Sequence, residues 1–315
     1  MVSKTKKKKL RIRKFLSFML IVILVAFAYK AFMTLGDYGK IKSLPPLTLA
    51  TDTTIPLPPD GLHSPNAILI RLNDHAILMQ EKDEERIYPA SLTKIMTAIV
   101  AIENLPDLQE KIALSNSMFQ GLYDADASLA GFQPNEQVKA IDLLYGVLLP
   151  SGAECCIGLA DQIAGSEQNF VKMMNQKASK LGMGNTHFEN AAGLHDENHY
   201  TTVKDLAILL RYALQNDTFR EIFTSSRHST QTTNKHPDGI TFTSTLSQNL
   251  EAQMLPNGEI LGGKTGYTDE AGLCLASFAQ IDGKEYILVT AGAKGDHETE
   301  QHNIEDACAV YKELN

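Results

Sequence analysis

The chain has 315 residues, of which 43% are hydrophobic, so it can bury a sizeable core in one or two domains. Its formal net charge is −8, but residues 1–14 contain eight of the 29 basic residues and no acidic residue. The rest of the chain carries 21 basic and 37 acidic side chains, a net charge of −16, which argues against nucleic acid or anionic lipid as its partner.

The N-terminal part of the chain has the composition of a membrane-targeting segment. Residues 1–14 form a basic tail, and residues 15–33 are almost wholly apolar apart from Lys30. This order predicts that the tail stays in the cytoplasm and that the chain after residue 33 lies outside it. We expect residues 15–33 to be an uncleaved transmembrane anchor, with Lys30 snorkelling to the interface. A signal peptide cleaved near Ala26-Phe27-Ala28, which would give a secreted protein, is the alternative.

Residues 34–62 contain five prolines and little apolar periodicity, which predicts an extended linker between the membrane and a main domain at residues 63–315. The main domain begins with two short strand patterns, at residues 66–71 and 76–79. Asn73-Asp74 between them is a hairpin turn signal.

The middle of the domain is mainly helical, and strand patterns return after residue 239. The predicted helices cover residues 138–149, 154–164, 170–181 and 204–214. The predicted strands cover residues 258–264, 273–280 and 285–291, and an amphipathic helix covers 297–314. Strands at both ends of a helical middle predict an α/β domain whose sheet joins both chain ends, with a helical subdomain inserted.

Ser91 and Lys94 lie three residues apart at the start of an apolar segment with helical spacing. Residues i and i+3 share a helix face, so the Ser91 hydroxyl and the Lys94 amine can meet. A serine hydroxyl becomes a good nucleophile when an adjacent base accepts its proton, and a buried lysine can be that base. The alternatives are a helix-capping serine and a surface lysine.

Two later segments complete a three-part pattern. Ser151-Gly152-Ala153 comes after Ser91, at a turn before a helix, and Lys264-Thr265-Gly266 comes later still, in a predicted strand. Ser-x-x-Lys, a serine triplet and Lys-Thr-Gly, in this order, are the signature of penicillin-recognising serine enzymes. Taken alone, Ser151 could equally be a helix cap.

The region from about residue 64 to the C-terminus closely resembles the serine D-alanyl-D-alanine carboxypeptidases, the low-molecular-mass penicillin-binding proteins. Further matches to that family are Phe188-Glu189-Asn190, Gly193-Leu194, His199, Thr201-Thr202, Asp205-Leu206-Ala207 and Ala271-Gly272-Leu273-Cys274-Leu275-Ala276. The resemblance implies the β-lactamase/transpeptidase-like fold, with an antiparallel sheet from both chain ends. The additional C-terminal β-domain and amphipathic tail of many relatives have no counterpart here, so we expect the N-terminal anchor to replace that tail.

The resemblance also implies roles for the motif residues. Ser91 would be the acylated nucleophile, Lys94 the general base, and Ser151 a proton relay to the leaving amine. Lys264 and Thr265 would bind the substrate carboxylate, and Lys264 could lower the pKa of Lys94. Gly266 would let the strand approach the ligand, and the backbone N–H groups of Ser91 and Tyr267 would form the oxyanion hole.

The activity implied is removal of the terminal D-alanine from peptidoglycan stem peptides at the cell membrane, outside the cytoplasm. β-Lactams would acylate the enzyme, and no metal or organic cofactor is expected. One position departs from the family pattern: Ala153 stands where the second motif has asparagine. This substitution keeps open a catalytically weak penicillin-binding or cell-wall-binding protein. A β-lactamase is a further alternative, although the Ser-Asp-Asn triplet of class A is absent.

The cysteines and one pair of histidines raise the question of disulfide or metal sites. The cysteines are Cys155, Cys156, Cys274 and Cys308. The adjacent pair lies in an apolar helix, where free thiols act as small buried hydrophobic groups, and a bridge between the last two stays possible. His195 and His199 are four residues apart, but Gly193 and Asn198 indicate a loop. A capped turn before the next helix is favoured there over zinc.

Overall fold

A computed structural model describes residues 45–50, 54–58, 61–250, 255 and 257–314. The basic tail and the predicted anchor at residues 15–33 lie outside these residues. Within the described ranges, no helix combines the length and apolarity needed to cross a bilayer. Residues 45–315 cluster as one compact unit.

A six-stranded sheet forms the centre of this unit. The strands among the described residues are β1 (Thr48–Leu49), β2 (Asn66–Arg71), β3 (Ala76–Glu81), β4 (Lys111–Leu114), β5 (Glu136–Lys139), β6 (Arg227–Ser229), β7 (Thr241–Thr243), β8 (Gly258–Gly266), β9 (Leu273–Ile281) and β10 (Lys284–Ala293). The order in the main sheet is β1-β3-β2-β10-β9-β8. All of its pairs are antiparallel except β1 with β3. The predicted sheet from both chain ends is therefore confirmed.

Helices cover both faces of this sheet. They are α1 (Thr93–Asn104), α2 (Ala140–Leu148), α3 (Ala153–Ala164), α4 (Glu167–Leu181), α5 (Val203–Ala213), α6 (Asp217–Phe223) and α7 (His302–Lys312). Along β2, Ile68 and Ile70 belong to the hydrophobic core that includes helices α1–α6, whereas Ala67 and Leu69 belong to the core that includes α7. Side chains of a strand alternate between faces, so a strand covered on both sides reads as a continuous apolar run.

The sequence located most of these elements and missed some short ones. The pairs β4–β5 and β6–β7 and the short helix α6 were not predicted. Helix α7 begins at His302, later than the predicted residue 297, because residues 296–301 form a loop tied by the Asp296 carboxylate and the Gln301 side chain.

The segment predicted as a linker contributes to the packed unit where the structure describes it. Thr48 and Leu49 pair with β3, and the Ile55 N–H donates to the Leu78 carbonyl at 2.9 Å. Ile55 is buried against the sheet edge. The described residues of this segment thus pack within the compact unit that begins at Pro45, through apolar contacts that the proline content did not indicate. The start of the main domain at residue 63 stays a prediction.

Candidate active site

Ser91 lies in a short 3₁₀ turn, Ala90–Leu92, that leads directly into α1. The sequence predicted a helix starting at Ser91, whereas the regular helix starts at Thr93. Ala90 has a φ of +46°, in the left-handed region that non-glycine residues rarely adopt, so the turn before the serine is strained. Lys94 is in the first turn of α1, and its Nζ donates to the Ser91 Oγ at 3.0 Å.

The Lys94 side chain is buried, with 2% of its surface exposed. Removal from water lowers the pKa of the Lys94 ammonium, because burial penalises its charged form. Its Nζ also donates to the Ala192 carbonyl at 2.5 Å. The amine is therefore held between one hydroxyl and one carbonyl.

A tight loop from Asn190 to Leu194 carries the Ala192 carbonyl. The Asn190 Oδ1 accepts the N–H groups of Gly193 and Leu194 at 2.7 and 3.0 Å, and its Nδ2 donates to the Leu194 carbonyl at 2.9 Å. Gly193 has a φ of +81°, and a Cβ there would lie 2.0 Å from the Ala90 carbonyl oxygen. Only glycine permits this close approach, which locks the loop against the serine turn.

His199 contacts the start of α1, the helix that carries Lys94. Its Nδ1 accepts the Glu189 N–H at 3.3 Å, so Nε2 carries the proton and donates to the Thr93 Oγ1 at 2.9 Å. Burial lowers the pKa of His199 to about 4. With both ring nitrogens engaged, His199 is not available as a metal ligand, and His195 instead faces Glu270 at 3.5 Å. The predicted capped turn is present, since the Thr202 Oγ1 accepts the Asp205 N–H.

His199 should make the stability of the protein depend on pH. Its pKa is about 4 in the folded state against about 6.5 when unfolded, so unfolding takes up a proton between these values. This contribution to the free energy of unfolding is fully present above pH 6.5 and is lost as the pH falls towards 4, by on the order of 3 kcal/mol.

The variant His199→Gln tests this dependence, because the amide can still hydrogen-bond but does not titrate. Urea unfolding at pH 7 and pH 4.5 should show that the wild type loses about 2–3 kcal/mol more than the variant between the two values. Equal losses in the two proteins would rule out His199 as the titrating group.

Ser151 reaches the same serine from the turn before α3. It has a φ of +70°, and its Oγ donates to the Ser91 Oγ at 2.9 Å. The structure thus brings Ser91, Lys94 and Ser151 together, with the Ser91 oxygen in hydrogen-bond contact with both partners. The packing of α3 against α1 brings the two serines together although they are far apart along the chain.

The third motif lies on β8, at the edge of the sheet. A Cβ on Gly266 would lie 3.1 Å from the Ser91 backbone nitrogen, so the strand runs directly beside the serine turn. Thr265 shares a 2.6 Å hydrogen bond between its Oγ1 and that of Thr245. The Lys264 side chain is fully buried, and its Nζ donates to the Thr265 carbonyl at 2.8 Å. Burial first, and then the charge of Lys94, hold the pKa of Lys264 well below its usual range.

A cleft of about 260 Å³ lies over these groups. It is lined by Ser91, Ser128, Ser151, Thr245, Gln248, Asn249, Thr265, Gly266, Tyr267, Leu273, His297, Gln301 and Asn303. The predicted site residues that line the cleft are Ser91, Ser151, Thr265, Gly266 and Tyr267. The buried side chains of Lys94 and Lys264 are not part of the lining. Ser128, Thr245 and His297 were not predicted from the sequence, because they come from separate segments without a motif.

Ala153 is the first residue of α3 and is buried. Its backbone N–H donates to the Ser128 carbonyl at 2.8 Å. The next residue, Glu154, is also buried, and its Oε1 accepts the backbone N–H groups of residues 130, 131 and 132. Burial raises the pKa of Glu154. The start of α3 is therefore fixed by backbone contacts and Glu154, without a side-chain amide at position 153.

All four cysteines are free and buried, as predicted for Cys155 and Cys156, and the possible bridge between Cys274 and Cys308 is not formed. Burial raises the pKa of Cys156 to about 12 and that of Cys274 to about 11. The thiols at these two positions therefore stay protonated at neutral pH and act as apolar packing groups.

The arrangement of a serine, two lysines and a second serine around an edge strand matches the motif set that is typical of penicillin-recognising serine enzymes. The model of peptidase family S11, D-alanyl-D-alanine carboxypeptidase, matches residues 52–295. The chain therefore belongs to the D-alanyl-D-alanine carboxypeptidase family.

Individual relatives agree with this membership. The chain is 33% identical to the D-alanyl-D-alanine carboxypeptidase DacF of Bacillus subtilis over 232 residues, which cover 72% of this chain and 57% of the relative. It is 33% identical to the D-alanyl-D-alanine carboxypeptidase DacC of Escherichia coli over 260 residues, covering 80% and 61%. The chain thus spans about three fifths of the length of these curated relatives.

Among solved structures, the Streptomyces K15 DD-transpeptidase matches with a TM-score of 0.73 and 25% identity. The match covers 83% of this chain and 98% of that one. The D-alanyl-D-alanine carboxypeptidase of Mycobacterium tuberculosis matches with a TM-score of 0.70 at 23% identity, covering 85% and 95%. The predicted fold is confirmed by these likenesses.

Proposed function

We propose that this protein is a serine D,D-carboxypeptidase that removes the terminal D-alanine from peptidoglycan stem peptides through an acyl-enzyme on Ser91. The observation that carries the proposal is the position of the Ser91 Oγ, 3.0 Å from the Lys94 Nζ and 2.9 Å from the Ser151 Oγ at a cleft beside β8. Family membership and the names of the relatives support the choice of substrate.

Lys94 is suited to act as the general base because burial favours its neutral form. In the first step the Ser91 Oγ attacks the carbonyl carbon of the penultimate D-alanine and transfers its proton to the Lys94 Nζ. The tetrahedral intermediate then breaks its C–N bond, and the amine of the last D-alanine leaves with a proton relayed through Ser151. Water hydrolyses the ester on Ser91 in a second step. The same groups then accept a proton from the attacking water and return a proton to the Ser91 Oγ as the ester bond breaks.

The edge strand β8 is suited to bind the substrate backbone. The N–H groups of Ser91 and Tyr267 would stabilise the oxyanion, since Gly266 allows the strand to lie against the serine turn. Thr265 lines the cleft and would donate to the terminal carboxylate, while the Lys264 amine lies behind it and would add positive charge once an anionic substrate binds. Catalysis by this route uses no metal or organic cofactor.

Two incubations of the purified protein test the proposal. A fluorescent penicillin should label it covalently, and a peptide ending in D-Ala-D-Ala should be cut with release of free D-alanine. Labelling without D-alanine release would favour a protein that binds penicillin but has lost turnover, an alternative motivated by Ala153. Rapid hydrolysis of the penicillin itself would indicate a β-lactamase, and absence of labelling, of penicillin hydrolysis and of D-alanine release together would contradict all three functions.

The cellular location is part of the same proposal. We propose that residues 15–33 anchor the protein in the cell membrane with the domain outside the cytoplasm, as the order of basic and apolar residues predicts. Protein taken from bacterial membranes should then retain the N-terminal sequence and stay with the membranes after a high-salt wash. A mature N-terminus near Tyr29, with protein released to the medium, would indicate a cleaved signal peptide.

Because Ala153 stands in place of the motif asparagine, we expect the enzyme to turn over its substrate slowly. An asparagine amide at this position would orient Lys94 and the substrate carbonyl. Loss of one preorganised donor at an oxyanion hole lowers the rate by on the order of 10²–10³, and the loss is smaller where the donor only orients other groups. We expect Ala153→Asn to raise turnover of a D-Ala-D-Ala peptide while leaving penicillin labelling intact.

Whether Ala153→Asn raises turnover depends on the space around position 153. Ala153 is buried, so the larger side chain could clash if the surroundings have closed around a methyl group. Steady-state kinetics and melting temperatures of both proteins separate the two cases. Ordinary family turnover in the wild type, with an inactive Ala153→Asn variant of unchanged stability, would contradict the slow-enzyme prediction.

A further inference from the structure

A cluster of three metal-binding side chains lies on the surface formed by α7 and the segment just before β2. It consists of His63, His302 and Glu305, and one ligand atom of each lies within 4.8 Å of the others. The Glu305 Oε2 is 2.8 Å from the His302 Nδ1 and 3.7 Å from the His63 Nε2. None of these three residues lines the cleft or takes part in the chemistry proposed for Ser91.

We propose that these three side chains bind a divalent metal ion such as Zn²⁺. Two imidazole nitrogens and one carboxylate oxygen are the donor set of many zinc sites, in which water occupies the fourth position. With metal–ligand distances of about 2.0–2.2 Å, the ligand atoms of a tetrahedral site lie roughly 3.3 Å apart. The two separations that involve Glu305, 2.8 and 3.7 Å, fall on either side of that value, and the two imidazole nitrogens lie within 4.8 Å of each other.

The backbone around these ligands is already fixed. His302 and Glu305 are three residues apart on α7 and share one face of the helix. The buried carboxylate of Asp306 accepts the N–H groups of His63 and Ser64, both at 2.8 Å. Asp306 therefore ties the third ligand, from the start of the main domain, to the helix that provides the other two.

Only the side chains have to move when an ion binds. The two imidazole rings are stacked, with centroids 4.1 Å apart and planes 10° from parallel. One ring must turn so that its lone pair converges on the metal with the other. The side chains of His63 and Glu305 are 53% and 43% exposed, so this rotation meets solvent and not the core.

An ion held there would join the start of the main domain to its last helix. His302 also stands between Gln301 and Asn303, which line the cleft. The metal would therefore reduce the mobility of one wall of the cleft without contacting a substrate. Its expected role is to stabilise the folded protein, because a ligand that binds only the folded state raises the melting temperature.

Zinc titration of the full-length protein, purified without an affinity tag and stripped with a chelator, tests the site. We expect calorimetry to show one zinc ion bound per chain and the melting temperature to rise with zinc. His63→Gln and Glu305→Gln should each weaken binding by at least the roughly 10–100-fold that loss of an outer-shell partner costs. Because both side chains are exposed, the melting temperatures without zinc should match that of the wild type.

His187→Gln is the matched control. His187 and Glu189 form an exposed pair with 3.0 Å between Nε2 and Oε1, and no third metal ligand completes it among the described residues. This variant should bind zinc like the wild type. The proposal would be overturned if the wild type bound no zinc, if His63→Gln and Glu305→Gln bound it as tightly, or if His187→Gln lost the binding instead.

Discussion

Replacing Ser91 with alanine should abolish covalent labelling by a fluorescent penicillin and release of D-alanine from a D-Ala-D-Ala peptide. The reason is chemical: without the Oγ there is no atom to form the ester, and the neighbouring groups cannot substitute. Ser151 is the nearest other hydroxyl, 2.9 Å away, but the Lys94 Nζ hydrogen-bonds the Ser91 Oγ and the Ala192 carbonyl. Gel fluorescence and intact mass after a long incubation measure the outcome.

Ser151→Ala is the comparison for this variant. It keeps the nucleophile and the lysine, so labelling should persist at a reduced rate, and peptide mapping should place the added mass on the segment that contains Ser91. Both variants should fold, because each loses a single oxygen and leaves the helices around it in place. Labelling that survives in Ser91→Ala, at any serine, would remove Ser91 from the role of nucleophile.

The centre of this site could be predicted from the sequence because Ser91 and Lys94 are close together along the chain. Ser91 and Lys94 are three residues apart, so helical spacing alone brings them together. The approach of Ser151 and of β8 depended on the fold, and their motifs could be ordered along the chain but not placed in space. The family resemblance supplied that placement, and the distances around the Ser91 Oγ agree with it.

What the sequence did not indicate are contacts made by backbone atoms. The carbonyl of Ala192 is the second acceptor for Lys94, and a carbonyl has no signature in the sequence. In the sequence, Asn190 and Gly193 stand out only as matches to the family stretch, whereas their role in closing the loop depends on hydrogen bonds to backbone groups. The same limit explains the short strand β1, whose pairing with β3 depends on the sheet edge.

Long elements with a clear period were predicted to within a few residues, because burial of one face enforces the pattern. The strands at residues 66–71, 273–281 and 284–293 and the helix at 153–164 are examples. Very short elements, such as β6 and α6, have too few positions for a period to stand out.

Lys94→Ala should slow acylation of Ser91 by roughly 10²–10⁴-fold, the usual contribution of a positioned general base. Lys94→Met is the better variant for this measurement, because methionine keeps the length of the side chain and suits a buried site, whereas alanine leaves a cavity. Stopped-flow measurement of penicillin acylation should give the same loss for both variants if the amine, and not the packing, is responsible.

The pH dependence of acylation distinguishes a base from a merely structural lysine. Burial lowers the pKa of Lys94, so the wild-type rate should rise with pH and level off below the ordinary lysine value of about 10.4. In Lys94→Met this rise should disappear, while Lys172→Met, which removes an exposed lysine on α4, should keep the wild-type profile. An acylation rate within a few-fold of wild type in Lys94→Met, with the same dependence on pH, would exclude Lys94 as the general base.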